Sequence, residues 1–267
     1  MVTASTAALL DNKAYGEPSV FEPGNLLREA RRQKRLPEYA VPAVCILDPD
    51  GDLVRHLSRL AAARRSAEWA CYHTELWEFE IDGRRVGIVG CAVGAAFAVL
   101  VAEELFASRC RFLLSVTSAG RVTATAAPPY LVVIDRALRD EGTSYHYLAP
   151  SQFVDADSTI VATTMAAAAA TGLEVFQGPS WTTDAPFRET STAVAAAQAL
   201  GVLAVEMEAA GLYAFARAQR RPVLCLAHVT NTMGVTAGDF EKGEADGALD
   251  TLAIVTAVVR ALAPTTA

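Results

Sequence analysis

Cysteine is sparse and unpatterned in this sequence of 267 residues: Cys45, Cys71, Cys91, Cys110 and Cys225, with no CxxC spacing. An odd count without motif spacing argues against a disulfide framework and against a zinc site. Most of the five lie in apolar runs such as Val44-Cys45-Ile46 and Leu224-Cys225-Leu226, so buried, reduced thiols in a cytoplasmic protein are expected. Positive charge is also in deficit. Lys and Arg total 23 against 30 Asp and Glu, for a net charge of −7. A nucleic-acid binder needs a basic face, and this balance excludes a general one. The basic run from Arg28 to Arg35 reads as a solvated helix face or as a phosphate-binding arm. Charges or glycines interrupt every apolar run before it reaches membrane-spanning length, and no signal-peptide pattern opens the chain. No membrane association is therefore expected.

What is present is a globular composition, 52% hydrophobic and 20% charged, in a chain long enough for a sizeable core. Residues 1–40 differ from the rest. Gly16, Pro18, Pro23, Gly24 and Pro37 surround one short helical pattern, Leu26 to Arg35, which predicts an N-terminal extension packed on the main domain. From 41 to 267, strand-length apolar runs alternate with helical spacings. Strands are expected at 43–47, 112–117, 131–134, 173–176, 202–205 and 223–229. Helices are expected at 52–64, 95–106, 157–171, 189–200, 208–219 and 247–262. Residues 69–81 and 84–89 read as a hairpin turning at Asp82-Gly83. The pattern predicts a single α/β domain, its mixed central sheet flanked by helices on both sides.

Ligands in such folds gather at the carboxyl ends of strands. That rule singles out Asp48, Asp50, Thr117, Ser118, Glu206, Glu208, Thr230 and Asn231. The most informative segment is Val205-Glu206-Met207-Glu208-Ala209-Ala210-Gly211-Leu212-Tyr213, where two carboxylates flank a methionine as a strand becomes a helix. A carboxylate accepts two hydrogen bonds side by side and so can hold the two neighbouring hydroxyls of a ribose. Acids at a helix N-terminus are also favoured by the helix dipole alone.

This segment resembles the signature of the nucleoside phosphorylase family, which includes purine nucleoside and uridine phosphorylases and related nucleosidases. The order of other pieces agrees: Gly90-Cys91-Ala92-Val93-Gly94 before a helix, Ser118-Ala119-Gly120 at a strand end, and Gly142 to Pro150, similar to the uridine phosphorylase branch. The resemblance covers about residues 41–263. It implies that Glu208 binds the ribose hydroxyls, that Met207 lies against the sugar, and that Glu206 fixes the loop. It places Ser118, Ala119 and Gly120 beside the base and the nucleophile. Asn231 falls where the family recognises the base. An amide cannot protonate a leaving group, so Asn231 suits a base that leaves as a stabilised anion, or it is a turn asparagine. Phe187 could stack on the base and Arg188 donate to a carbonyl; alternatively Asp184 caps the following helix, Pro186 starts it and Arg188 lies in solvent. His146 reads as a group reaching the 5′-hydroxyl across a subunit boundary, or as a structural loop histidine.

The phosphate site departs from the family pattern. Pro49 stands at the expected glycine, Leu53 at the expected arginine, and Ser115 at another. Asp48, Asp50 and Asp52 crowd the loop instead. Like charges 4 Å apart repel by roughly 4 kcal/mol at an effective dielectric of about 20, the wrong sign for holding phosphate. Asp50 or Asp52 could activate water, or these aspartates cap the next helix. The resulting expectation is an enzyme that cleaves the N-glycosidic bond of a purine or pyrimidine nucleoside and favours water over phosphate. A phosphorylase with a rebuilt anion site and a non-catalytic nucleoside-binding protein are the alternatives. No metal or cofactor is expected, with phosphate as a possible co-substrate, and the resemblance implies a homo-oligomer, dimer or hexamer.

Overall fold

Strand β1 (Val44–Asp48) is apolar on both faces and buried along its whole length, so it must be covered from both sides. Val44 and Ile46 pack into one core cluster, Cys45 and Leu47 into another, as the two-residue period of a strand dictates. The computed structural model describes residues 8–233 and 237–262. After β1 come α2 (Asp52–Arg59), β2 (Arg64–Arg65), β3 (Trp77–Ile81), β4 (Arg84–Gly90), α3 (Ala95–Ala107) and β5 (Phe112–Arg121). Then follow β6 (Tyr130–Asp140), β7 (Phe153–Asp155), α4 (Ser158–Ala168), β8 (Val175–Thr183) and α5 (Ser191–Ala199). The last elements are β9 (Ala204–Glu206), α6 (Ala209–Gln219), β10 (Val223–Asn231) and α7 (Ala248–Leu262). Helix α1 (Pro23–Lys34) precedes them all.

The ten strands form one mixed sheet. Strand β1 lies between β4 and β5, parallel to both. Strand β10 runs parallel to β5 and antiparallel to β6. Because β6 pairs with β8, β8 with β9, and β9 with β5, these five strands close into a ring. Helices α3 and α6 contribute Val99, Leu105, Leu212 and Phe215 to the core on one face. Helices α2, α4 and α7 contribute Leu57, Val161 and Ile254 on the other. Gly211 lets α6 approach α3: a Cβ there would meet the Ala95 Cβ at 2.8 Å. Helix α1 seats Leu27 and Ala30 against Ala70, and the Lys34 ammonium donates to the carbonyls of Ala70 and Cys71 at 2.9 and 2.6 Å.

Several boundaries differ from the sequence expectation. Helix α2 stops at Arg59 rather than 64, because Ala61 turns left-handed (φ 52°) and leaves Leu60 64% exposed. The hairpin's first strand begins at Trp77, not Trp69; the preceding residues form a loop in which the Trp69 indole donates to Thr74 Oγ1 at 3.0 Å. Strands β6 and β8 run on through polar residues as far as Asp140 and Thr183, which the apolar pattern did not mark. Asp184 does not cap α5. It accepts the Gly142 N–H at 2.8 Å, and Thr190 caps the helix instead. Pro186 opens a short 3-10 turn, Pro186–Arg188, rather than α5. All five cysteines are unpaired; Cys91 alone among them is exposed. No described helix is long and apolar enough to cross a membrane, and the described residues hold no cluster of metal-ligating side chains.

Candidate active site

The carboxyl ends of β1, β5 and β10 lie side by side, because the three strands are parallel neighbours. Strand β9 reaches the same edge from the opposite direction, pairing Val205 with Gly120. Between them lies a pocket of about 340 Å³. Asp50, Ser118, Ala119, Gly120, Phe187, Glu206, Met207, Glu208 and Asn231 all line it. Arg188 and His146 do not. Arg188 is exposed at the end of its turn. The exposed His146 ring lies 2.9 Å from the Lys13 ammonium, in a separate depression beside α3.

Glu206 and Glu208 are both buried, with very different surroundings. The Glu206 carboxylate accepts the backbone N–H groups of Glu208 and Ala209, each at 2.7 Å, the Ser180 hydroxyl at 3.0 Å, and the Thr182 hydroxyl. These four donors fill it, so Glu206 fixes the backbone at the start of α6 and has no acceptor left for a ligand. Glu208 accepts the Gly94 N–H at 2.7 Å through Oε1, while Oε2 has a longer contact, 3.3 Å, from the Met207 N–H. Burial, reinforced by the Glu206 charge, pushes its carboxyl up to about 8. A carboxyl whose pKa is higher folded than unfolded loses stabilisation as pH rises from the unfolded value toward the folded one. Thermal unfolding of the ligand-free protein is therefore expected to shift several degrees lower between pH 5 and pH 8, and Glu208→Gln to flatten part of that slope.

The three aspartates of the first loop have separate tasks. Asp48 is 4% exposed and accepts the Val54 N–H at 2.9 Å, which anchors the first turn of α2; burial pushes its carboxyl up to about 7. Asp52 is ion-paired with both Arg55 and Lys242. Asp50 faces the pocket. Its carboxylate accepts the Ser118 backbone N–H at 2.6 Å and the Ser118 hydroxyl at 3.1 Å.

On the other side, Asn231 is 8% exposed. Its Oδ1 accepts the Met233 N–H at 2.9 Å, a turn contact, while Nδ2 makes only long contacts to the Ala119 carbonyl and Thr230 hydroxyl, 3.4 and 3.3 Å. It is thus a turn asparagine that also walls the pocket. A Cβ at Gly120 would lie 2.7 Å from the Met233 sulfur and 3.3 Å from Asn231 Oδ1, so a side chain there would have to displace Met233. The Phe187 side chain stands at the mouth, fully exposed. Glu189, Val93, Met233 and Phe240 also line the pocket and were not singled out from sequence. Glu189 sits two residues beyond Phe187, a neighbourhood that could have flagged it. Burial raises its carboxyl pKa, and no described side chain or N–H hydrogen-bonds that carboxylate. Phe240 and Met233 lie in a loop without periodicity, where sequence carries no comparable signal.

A family model described as the phosphorylase superfamily matches residues 43–260, and the chain belongs to that superfamily. Within it, the chain is 32% identical over 136 residues, half its length, to a DeoD-type purine nucleoside phosphorylase from Myxococcus xanthus; the match spans 57% of that relative. It is 27% identical over 168 residues to a guanosine phosphorylase from Halorubrum lacusprofundi, covering 63% of this chain and 69% of the other. Among solved structures, uridine phosphorylase from Vibrio fischeri superposes with a TM-score of 0.72 at 20% identity, over 85% of this chain and 95% of that one. The 5'-methylthioadenosine/S-adenosylhomocysteine nucleosidase of Neisseria meningitidis, solved with methylthio-immucillin-A, gives 0.67 at 19% identity, over 82% and 99%. These two likenesses establish a shared fold.

Proposed function

We propose that the protein is an enzyme cleaving the N-glycosidic bond of a nucleoside, with water as the nucleophile. The observation that carries this reading is the Asp50 carboxylate seated on the Ser118 N–H and hydroxyl. A phosphate would need just such donors, together with cations, and here a fixed carboxylate has taken them. The described pocket lining holds four carboxylates, Asp50, Glu189, Glu206 and Glu208, and no Lys, Arg or His. An acidic lining without a cation disfavours a phosphate dianion, and the Asp50 carboxylate suits the positive charge that develops on the sugar as the bond to the base breaks.

In this mechanism Glu208 accepts the ribose hydroxyls, Met207 packs on the sugar, and Glu206 keeps both in place. Phe187 covers the base, and the Asn231 amide holds its edge. As the bond from the anomeric carbon to the base lengthens, the water oxygen attacks that carbon and Asp50 takes the water proton. The base departs with the bonding electron pair. Glu189, which lines the pocket two residues beyond Phe187, supplies the proton that neutralises it. The exposed Phe187 and Val93 at the pocket mouth support a homo-oligomer, dimer or hexamer, that covers them. Residues 1–40, which precede the matched region, are proposed to be an addition to the domain.

The names of the two sequence relatives favour a second reading, phosphorolysis. Chromatography of products from a nucleoside panel, with and without phosphate, decides between the two. Free ribose and base at equal rates in both buffers are expected. Ribose 1-phosphate formed only with phosphate overturns water as the nucleophile. No release in either buffer favours a nucleoside-binding protein without turnover.

A further inference from the structure

Two cations lie beside the nucleophile end of the pocket, yet neither lines it. The Arg55 guanidinium donates to the Asp50 carbonyl at 2.9 Å and is ion-paired with Asp52 Oδ1. The Lys242 ammonium is ion-paired with Asp52 Oδ2 at 2.5 Å. The two oxygens of one carboxylate thus hold one cation each, and the Asp52 side chain is only 15% exposed. Lys242 arrives from the far end of the chain on a tethered segment. The Glu241 N–H donates to the Thr230 carbonyl at 2.7 Å, and Asp239 accepts the Thr232 N–H at 2.9 Å. Its position is therefore set by the loop that follows β10.

We propose that Asp52 is a specificity-determining residue: its carboxylate sequesters Arg55 and Lys242 and so keeps inorganic phosphate out of the Asp50 end of the pocket. This rests on the reading of water as nucleophile and adds a second barrier to the Asp50 carboxylate itself. Asp50 occupies the donors an anion would use, and Asp52 neutralises the charges that would draw an anion in. With Asp52 uncharged, two long, flexible cationic side chains would be released from their shared carboxylate beside Asp50. A guanidinium and an ammonium together are a strong phosphate-binding pair.

The test is direct binding of inorganic phosphate, measured by calorimetry at constant ionic strength for the intact protein and for Asp52→Asn. The variant is expected to bind at least about tenfold more tightly, equivalent to about 1.4 kcal/mol. Adding Lys242→Met to it should return the affinity to that of the unmodified protein. A folded Asp52→Asn, judged by circular dichroism and melting temperature, that binds phosphate no more tightly overturns the proposal. Should Asp52→Asn fail to fold, Lys242→Met and Arg55→Met in the otherwise unmodified chain give a second measure. Sequestered cations predict unchanged phosphate affinity, and weakened binding overturns the idea. Because the readout is binding, it remains decisive even if the product assay finds ribose 1-phosphate and the water mechanism fails.

Discussion

Asp50→Asn is expected to lower kcat by about 10²–10⁴-fold, the range typical for removing a general base. The amide has nearly the same shape, and its oxygen can still accept the Ser118 N–H that holds Asp50 at 2.6 Å. Substrate binding should therefore change little, and KM should stay within a few-fold. What is lost is the capacity to take a proton from water. The split between kcat and KM is the informative result, because a merely structural Asp50 would alter both together. Small carboxylates such as formate, added to Asp50→Ala, should restore part of the rate. An Asp50→Asn protein with undiminished turnover would remove Asp50 from the mechanism.

The second large effect is expected at Glu208. Above about pH 8, where Glu208 carries its charge, removing its carboxylate forfeits two charge-assisted hydrogen bonds to the ribose hydroxyls of roughly 1.5–3 kcal/mol each. Glu208→Ala should accordingly reduce kcat/KM by about 10²–10⁴-fold, through both parameters if the contact exists in the ground state. Comparison of a ribonucleoside with its 2′-deoxy counterpart separates sugar recognition from general damage. The unmodified enzyme should prefer the ribonucleoside, and the variant should lose most of that preference. Loss of activity with the preference intact would place Glu208 outside the sugar site. Because Glu208 also accepts the Gly94 N–H, the melting temperature of the variant belongs beside its kinetics.

The alternation of strands and helices was legible from apolar runs, and so was the cover on both faces of the sheet. Strand lengths were less so. The polar ends of β6 and β8 continue the ladder for reasons of pairing, which a hydrophobic pattern does not record. At the site, the residues at strand ends were legible because a parallel sheet brings those ends together. Glu206 and Glu208 stood out as a pair, but which of them is saturated by donors depends on Ser180 and Thr182, more than twenty positions away. Lys242 is 190 residues from its partner Asp52, and nothing in the local sequence of either announces the other. The Asp50–Ser118 contact likewise spans 68 positions. Long-range pairing of charges was the part that sequence withheld, and here it sets the electrostatics of the pocket.

The ring of strands carries a consequence for how this molecule comes into being. Strand β10 joins β5 to β6, pairing Leu113 with Val223 and Val133 with Leu226. Until that strand is synthesised, β5 and β6 each present an unsatisfied edge of backbone donors and acceptors, open to pairing with another chain. The same strand ends in Asn231 and leads into Lys242. A growing chain therefore closes its sheet and completes the wall of its candidate pocket in one late event, and its exposure to misassembly ends as that pocket takes shape.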